Sequence, residues 1–260
     1  MPDSSNIIYG VNAVAEALRA GTRQIETITI LESARPDRLK SLIELARQKG
    51  VPVHRVPRLD LDRSLGEVRH QGVVARVAAA RYADADALLD TLEAKIGTED
   101  PPLVLGLDAI EDPRNMGSIL RTAECAGVHG VFIAERRAVG LTGVVAKVAA
   151  GALEYVPVAR VTNLVRLIEQ LKARNIWVVG AAGEARQSYT EWDWRLPAAV
   201  FLGNEGHGLH RLVREHCDTL VHIPLAGKLD SLNVSVAAGV LLYEARRQRN
   251  LSAAGERKNS

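Results

Sequence analysis

The sequence has little cysteine and no long hydrophobic run, and both absences exclude classes of protein. Its 260 residues include two cysteines, Cys125 and Cys217, which form no CxxC pair and predict neither a disulfide framework nor a zinc site. No stretch approaches about 18 apolar residues without a charge, so no transmembrane helix is predicted. The N-terminal segment MPDSSNIIYG lacks the basic and apolar regions of a signal peptide. We therefore expect a cytoplasmic protein without a bound metal.

Motifs of several common enzyme classes are also missing. The chain contains neither a GxxxxGK[ST] phosphate loop nor a GxGxxG dinucleotide fingerprint. It also lacks the GxSxG and HExxH motifs, which argues against the corresponding hydrolases. The net charge of +2 neither demands nor excludes a nucleic-acid partner.

Charge is unevenly distributed along the chain. Residues 1–78 carry a net charge of +3, residues 79–101 carry −4, and the remainder carries +3. The acidic stretch is rich in alanine and leucine, ends in two prolines and is predicted to be a linker with some helix in it. We expect domains over residues 1–78 and 102–250, followed by a disordered tail over 251–260.

Hydrophobic periodicity predicts α/β structure in both domains. In the first, helical patterns over 12–19 and 36–49 alternate with strand-like runs over 26–31, 51–56 and 72–77. From residue 102 onward, strands and helices alternate, which predicts a parallel sheet with helices on both faces. Continuous apolar runs typical of buried strands lie over 103–107, 130–134 and 198–202, and a last helix is predicted over 234–249.

The loops that follow the strands are candidates for a functional site, because an open α/β sheet binds ligands at the carboxyl ends of its strands. Residues 108–117 lead from the first strand of the second domain into a helix that carries Arg121. Asn115 is predicted as the N-cap of this helix. Pro113 and Asn115 could serve only to begin the helix, so a functional and a structural role remain equal alternatives here.

Two further loops are unusual in composition. Residues 203–208, GNEGHG, contain three glycines, which predicts a close approach of the backbone to another group. Glu205 in this loop could cap a helix or act in a site. In the third loop, Ser231, Asn233 and Ser235 could share one face, or the stretch could simply lead into an Asn-capped or Ser-capped helix.

Together these loops resemble the motifs of the SpoU/TrmH, or SPOUT, family of RNA 2'-O-methyltransferases. The motifs are DPRNMGSILRTAECAG at 112–127, FLGNEGHGL at 201–209 and IPLAGKLDSLNVSVAAGVLLYE at 223–244. The stretches IIYGVNAVAEAL at 7–18 and HQGVVARV at 70–77 resemble the L30e-like RNA-binding domain that precedes the catalytic domain in some members. The likeness is strongest to members that methylate a guanosine of 23S rRNA in the peptidyl-tRNA loop.

This resemblance implies a C-terminal trefoil knot, a rare exception to the usual rules of topology, and a homodimer formed through the catalytic domain. It also implies that the methyl donor, S-adenosylmethionine, binds in the knot against the second and third loops. The residues expected to contact the donor are Leu202, Gly203, Ile223, Leu225 and Leu232. The positions tied to activity in the family are occupied by Asn115, Arg121, Glu205, Ser231 and Asn233.

The implied reaction is an in-line attack of a ribose 2'-hydroxyl on the methyl carbon of a sulfonium, in which positioning supplies much of the rate. A guanidinium keeps its proton at neutral pH, so Arg121 is expected to clamp a phosphate and polarise the hydroxyl rather than to act as a base. Glu205 is expected to orient a neighbour. Ser231 and Asn233 are expected to hydrogen-bond the ribose or the donor.

Two alternatives remain. The enzyme could methylate tRNA or another rRNA site, and the first domain favours rRNA without deciding it. The chain could also be an RNA-binding relative that has lost catalysis, but the presence of all five residues tied to activity argues against this. Donor binding measured by calorimetry distinguishes these two classes.

Overall fold

The computed structural model describes residues 6–34, 36–65, 70–78 and 80–256. The chain forms two compact units. The first combines residues 1–81 with residues 140–155, and the second combines residues 82–139 with residues 156–260.

The first unit is built on a four-stranded mixed sheet. Its elements in residues 1–81 are β1 (Ile7–Tyr9), α1 (Val11–Ala20), β2 (Ile25–Leu31), α2 (Pro36–Gln48), β3 (Val53–Val56), α3 (Arg58–Leu65) and β4 (Val73–Val77). The strand order is β1-β4-β2-β3, in which β2 and β3 pair in parallel and the other two pairs are antiparallel. Leu18 of α1 and Leu42 of α2 are buried with Ile28 of β2 in one core cluster. The sequence predicted these elements apart from β1 and α3, which are too short to show a clear period.

The second unit supplies most of the remaining elements. Along the chain these are α4 (Ala85–Glu93), β5 (Leu103–Leu107), α5 (Pro113–Cys125), β6 (Gly130–Ala134), α6 (Gly143–Ala149, which belongs to the first unit), β7 (Val158–Val161), α7 (Leu164–Ala173), β8 (Trp177–Ala181), β9 (Gln187–Ser188), β10 (Ala198–Leu202), α8 (Arg211–His216), β11 (Thr219–His222) and α9 (Val234–Glu256). The last helix therefore extends beyond the predicted end at 249, into the stretch expected to be a disordered tail. No helix in the described ranges is long and apolar enough to cross a membrane.

The second unit contains the predicted parallel sheet. Its strand order is β7-β6-β5-β10-β8-β11-β9, and all six neighbouring pairs are parallel. Val104 and Phe201 point to one face, where they join a cluster with residues of α4, α7 and α8. Leu105 and Val200 alternate with them and are equally buried, so they point to the opposite face. Helices α5 and α9 pack against each other in this unit, and α9 also contacts β10.

Two segments differ from the predicted domain limits. Within 79–101, the predicted linker, α4 buries Leu88, Leu89 and Leu92 in the core of the second unit, while its acidic residues lie on the exposed side. Residues 140–155 lie within the sequence of the second domain but pack in the first unit, where Ala146 joins the core. The buried carboxylate of Glu154 accepts hydrogen bonds from Thr22 and Arg23 and fixes this segment there.

Candidate active site

Helix α5 begins within the first candidate loop, residues 108–117. Its N-cap is Asp112, whose side chain accepts a hydrogen bond of 2.6 Å from the backbone N–H of Arg114, and Pro113 occupies the first helical position. The prediction of Asn115 as the N-cap is therefore wrong. Because Asp112 and Pro113 already begin the helix, the Asn115 side chain is available for other contacts.

Asn115, Glu205 and Asn233 form a hydrogen-bonded cluster at the carboxyl edge of the sheet. The Asn115 amide donates to Glu205 Oε1 at 2.7 Å, and the Asn233 amide donates to Asn115 Oδ1 at 3.0 Å. Asn233 Nδ2 and the backbone N–H of Val234 also donate to Glu205 Oε1. The fold thus brings together one residue from each of the three loops singled out in the sequence.

Asn233 has a second role as the cap of α9. Its Oδ1 accepts from the backbone N–H groups of Ser235 at 2.9 Å and Val236 at 3.4 Å. This confirms the Asn-capped helix considered for the third loop. The N-terminal ends of helices α5 and α9 both lie beside Glu205. The positive ends of two helix dipoles therefore face one carboxylate, and this arrangement favours its negative charge.

The glycine loop turns back on itself very closely. A Cβ built on Gly203 would lie 2.0 Å from the Gly208 carbonyl carbon and 2.2 Å from the Leu209 nitrogen. Asn204 braces the turn, since its Nδ2 donates to the Ala109 carbonyl at 3.1 Å and its Oδ1 accepts from the Gly206 N–H at 2.8 Å. The close backbone approach predicted for this loop is present. The group that the Gly203 backbone approaches is the backbone of Gly208 and Leu209, at the end of the same loop.

Arg121 and Ser231 lie outside the cluster. Arg121 is exposed and makes no hydrogen bond or ion pair with any residue that the structure describes. It follows Asn115 by six helical positions, which places it about 120° around α5 and about 9 Å along its axis. Ser231 is also exposed, and its hydroxyl donates to Asp230 Oδ1 at 3.3 Å.

The residues expected to contact the donor lie at the end of β10 and along an open stretch of chain after β11. Leu202 is buried at the end of β10, and Gly203 and Ile223 are half-buried. Leu225 is 41% exposed and Leu232 is 37% exposed, within a run in which residues 224–233 are all exposed. Between Ile223 and Leu232, no backbone N–H donates a hydrogen bond to another described residue. Exposed apolar side chains beside free backbone groups suit a flat, partly polar ring such as adenine.

Sequence reasoning missed a pair beside the glycine loop, the buried Asp108 and the exposed His210. Asp108 follows β5 directly and is buried, and its carboxylate accepts from the His210 backbone N–H at 2.8 Å and from His210 Nδ1 at 2.9 Å. The position of Asp108 after a buried strand was a usable signal, whereas nothing in the sequence connects it with His210. In the described ranges, no group of three or more His, Cys, Asp and Glu side chains is arranged to hold a metal ion.

A parallel sheet with a polar cluster and open apolar loops at its carboxyl edge defines an α/β protein that binds its ligand there. Residues 102–243 match the family model described as the SpoU rRNA Methylase family. Residues 7–83 match the model described as RNA 2'-O ribose methyltransferase substrate binding. The chain belongs to the SpoU rRNA methylase family, and the resemblance inferred from its motifs is confirmed.

Individual relatives agree with this assignment over nearly the whole chain. YacO of Bacillus subtilis, whose name places it in the TrmH family of tRNA/rRNA methyltransferases, is 46% identical over 96% of this chain and 98% of its own. The 23S rRNA (guanosine-2'-O-)-methyltransferase RlmB of Pseudomonas putida is 45% identical over 94% of this chain and 97% of its own. The crystal structure of the SpoU methyltransferase AviRb from Streptomyces viridochromogenes in complex with the cofactor AdoMet matches with a TM-score of 0.74 at 28% identity, over 94% of this chain and 89% of that one.

Proposed function

We propose that this protein transfers a methyl group from S-adenosylmethionine to the ribose 2'-hydroxyl of a guanosine in 23S rRNA. The cluster of Asn115, Glu205 and Asn233 carries the proposal, because one residue from each family motif meets at a single carboxylate oxygen. Relatives named for this reaction match at 44–45% identity over 94–95% of the chain, which supports the substrate.

The donor site lies between the glycine loop and residues 223–232. S-adenosylmethionine supplies an electrophilic methyl carbon when it is bound. Leu225 and Leu232 would hold its adenine ring through apolar contact, and the free backbone N–H groups between them would supply hydrogen-bond donors to it. Gly203 lies at the base of this site, where any side chain would displace the turn.

The chain forms a trefoil knot around this donor site. After β11, which is separated from β10 by β8, residues 223–233 return to the start of α9 beside Glu205. This return past the glycine loop supports the knotted path, which the family resemblance implies.

The cluster positions the attacking ribose. Glu205 Oε1 accepts three hydrogen bonds, whereas no described residue donates to Oε2. Oε2 is therefore available to accept a hydrogen bond from the 2'-hydroxyl and to align its oxygen for attack. The new C–O bond forms as the C–S bond breaks, and the hydroxyl proton leaves to solvent. Ser231 hydrogen-bonds the ribose or the donor.

Arg121 acts at an active site that a dimer completes. Val236 and Tyr243 are 51% and 53% exposed on α9, on the side opposite its buried residues. Exposed apolar residues in a row along a helix mark an interaction surface. In a homodimer formed through α5 and α9, the free guanidinium of Arg121 lies at the interface, where it clamps an RNA phosphate and polarises the nucleophile.

The first unit is an L30e-like RNA-binding domain, and the second is the catalytic domain. The family model for substrate binding, which ends at residue 83, supports this division. We place the enzyme in the cytoplasm, where rRNA is modified. Relative to the limits expected from the sequence, 1–78 and 102–250, we assign α4 to the catalytic domain and residues 140–155 to the first domain.

The test is methylation of 23S rRNA from a strain that lacks the gene, followed by mapping of 2'-O-methyl groups. We expect one new methylguanosine with the wild-type protein and none with Glu205→Gln, although both bind S-adenosylmethionine in calorimetry. Methylation of tRNA alone would refute the rRNA assignment. Failure of the wild-type protein to bind the donor would instead indicate an inactive RNA-binding relative.

A further inference from the structure

The turn before β4 in the first unit has an unusual backbone. Gln71 has a φ of 55° and Gly72 a φ of 81°. Positive φ is common for glycine, whereas a glutamine in this conformation is strained unless its surroundings hold it there. A glycine at position 71 would adopt this conformation without strain, so the glutamine side chain carries a cost in stability.

His70 stabilises this turn through hydrogen bonds at both of its ring nitrogens. It is buried, its Nδ1 accepts a hydrogen bond of 3.0 Å from the Gly72 N–H, and its Nε2 lies 2.8 Å from Asp62 Oδ1. The hydrogen bond with His70 is the main cause that lowers the pKa of Asp62 below its usual value. Both ring nitrogens are therefore occupied, and the imidazole fixes the left-handed conformation of the next residue.

The Gln71 side chain lies beside a second turn with an unusual backbone, the turn between β1 and α1. It is exposed, and its amide makes no hydrogen bond with any residue in the described ranges. Its Oε1 lies 3.4 Å from where a Cβ on Gly10 would be, and Gly10 has a φ of 101°. The turn between β1 and α1 thus brings its backbone up against the glutamine amide.

A positively charged side chain, Arg58, also contacts Asp62. Arg58 is 78% exposed and its Nε lies 3.4 Å from Asp62, the carboxylate that also binds His70. The turn therefore presents a free amide with two donors and an acceptor, and Asp62, which binds His70 of this turn, also pairs with the exposed guanidinium of Arg58. In RNA recognition an amide reads the edge of a base, and a guanidinium binds phosphate.

We propose that Gln71, held in the turn by His70, contacts the RNA substrate and reads a base outside the active site, while Arg58, paired with the same Asp62, binds an RNA phosphate. This inference rests on the proposed function, since it assigns to one turn the RNA recognition expected of the first unit. An exposed glutamine with a free amide, in a backbone conformation that favours glycine, is explained by a role of its side chain in binding.

The test is Gln71→Gly in the full-length protein. Glycine accepts the backbone conformation, so we expect a melting temperature equal to or above that of wild type. The affinity for a 23S rRNA transcript that the wild type methylates should fall about tenfold, as expected for loss of an amide that reads a base. The KM for RNA should rise with an unchanged kcat. Gln71→Asn, which keeps an amide and tolerates positive φ, should restore part of the affinity.

Gln24→Ala is the matched control, since it removes an exposed amide before β2, at the opposite end of the sheet. It should leave RNA affinity unchanged. Unchanged RNA affinity and KM in Gln71→Gly would overturn the inference and leave the proposed function standing. Unchanged affinity for the bare transcript with reduced methylation of ribosomal precursor particles would assign the turn to a protein partner and would also overturn it. A wild-type protein that methylates no RNA would refute the proposed function itself.

Discussion

Gly203→Ala is the sharpest test of the donor site. Gly203 does not have a positive φ, so alanine is acceptable to its backbone and the effect is steric alone. The added methyl would lie about 2 Å from the backbone of Gly208 and Leu209, far inside van der Waals contact. Backbone cannot rotate away as a side chain does, so the turn must open. Overpacking of this kind costs about 1–3 kcal/mol.

The cost can be converted into an expected affinity. If opening the turn is favoured by about 2 kcal/mol and the donor binds only the closed turn, the apparent Kd rises about thirtyfold. Calorimetric titration with S-adenosylmethionine measures this directly. We expect the far-UV circular dichroism spectrum to be unchanged, because the turn lies outside the sheet.

Gly206→Ala provides the control in the same loop. A Cβ there would meet only Asn204 Oδ1, at 3.4 Å, which is an ordinary contact. We expect donor affinity within about twofold of wild type for this variant, since exposed substitutions usually change the free energy by less than about 0.5 kcal/mol. Wild-type donor affinity in Gly203→Ala would refute both the steric argument and the location of the donor.

Three further predictions concern catalysis and stability. Arg121→Lys keeps the charge but loses the planar fork, so single-turnover methylation should slow about a hundredfold with unchanged donor affinity; near-normal turnover would reduce the role of Arg121 to simple charge or structure. Asn233→Asp keeps the oxygen that caps α9 but places a second carboxylate beside Glu205. Its thermal stability should stay near wild type while methylation falls about thirtyfold, as expected for about 2 kcal/mol lost on a charged hydrogen bond; full activity would separate the cluster from catalysis. Arg249→Met removes a buried guanidinium that donates to four backbone carbonyls, and burial lowers the pKa of Arg249 to about 10, where it is still protonated at neutral pH. Unfolding free energy should fall by about 3 kcal/mol in a thermal melt, and an unchanged melting temperature would show that water replaces the lost donors.

Much of the second unit could be predicted from the sequence. The strands Leu103–Leu107, Gly130–Ala134 and Ala198–Leu202 were predicted with the limits that the structure shows. Each is a short apolar run that can be buried on both faces only in the middle of a sheet. The loops that carry Asn115, Glu205 and Asn233 could be selected because residues that follow such strands gather at one edge. The family resemblance then singled out these three residues, together with Arg121 and Ser231.

The local sequence pattern predicted the wrong N-cap for α5, because two residues could fill that position. Asn115 and Asp112 are both good N-caps, and the proline directly after Asp112 was the signal in the sequence that favoured Asp112. The structure assigns the cap to Asp112, because Pro113 fits the first helical position and Asp112 precedes it. Asn115 is thereby released to bind Glu205.

By itself, then, the sequence determined the α/β class, the order of the main strands and helices, and the three loops that matter, because periodicity and motif spacing are properties of neighbouring residues. Only the tertiary structure decided which residues meet. Asp108 and His210 are joined across the chain, Arg121 stays outside the hydrogen-bonded cluster, and residues 140–155 pack in the first unit rather than with their sequence neighbours. Each of these depends on how distant segments pack, and the free energy of burying Ala146 or pairing Glu154 exists only when the partner surface is already folded.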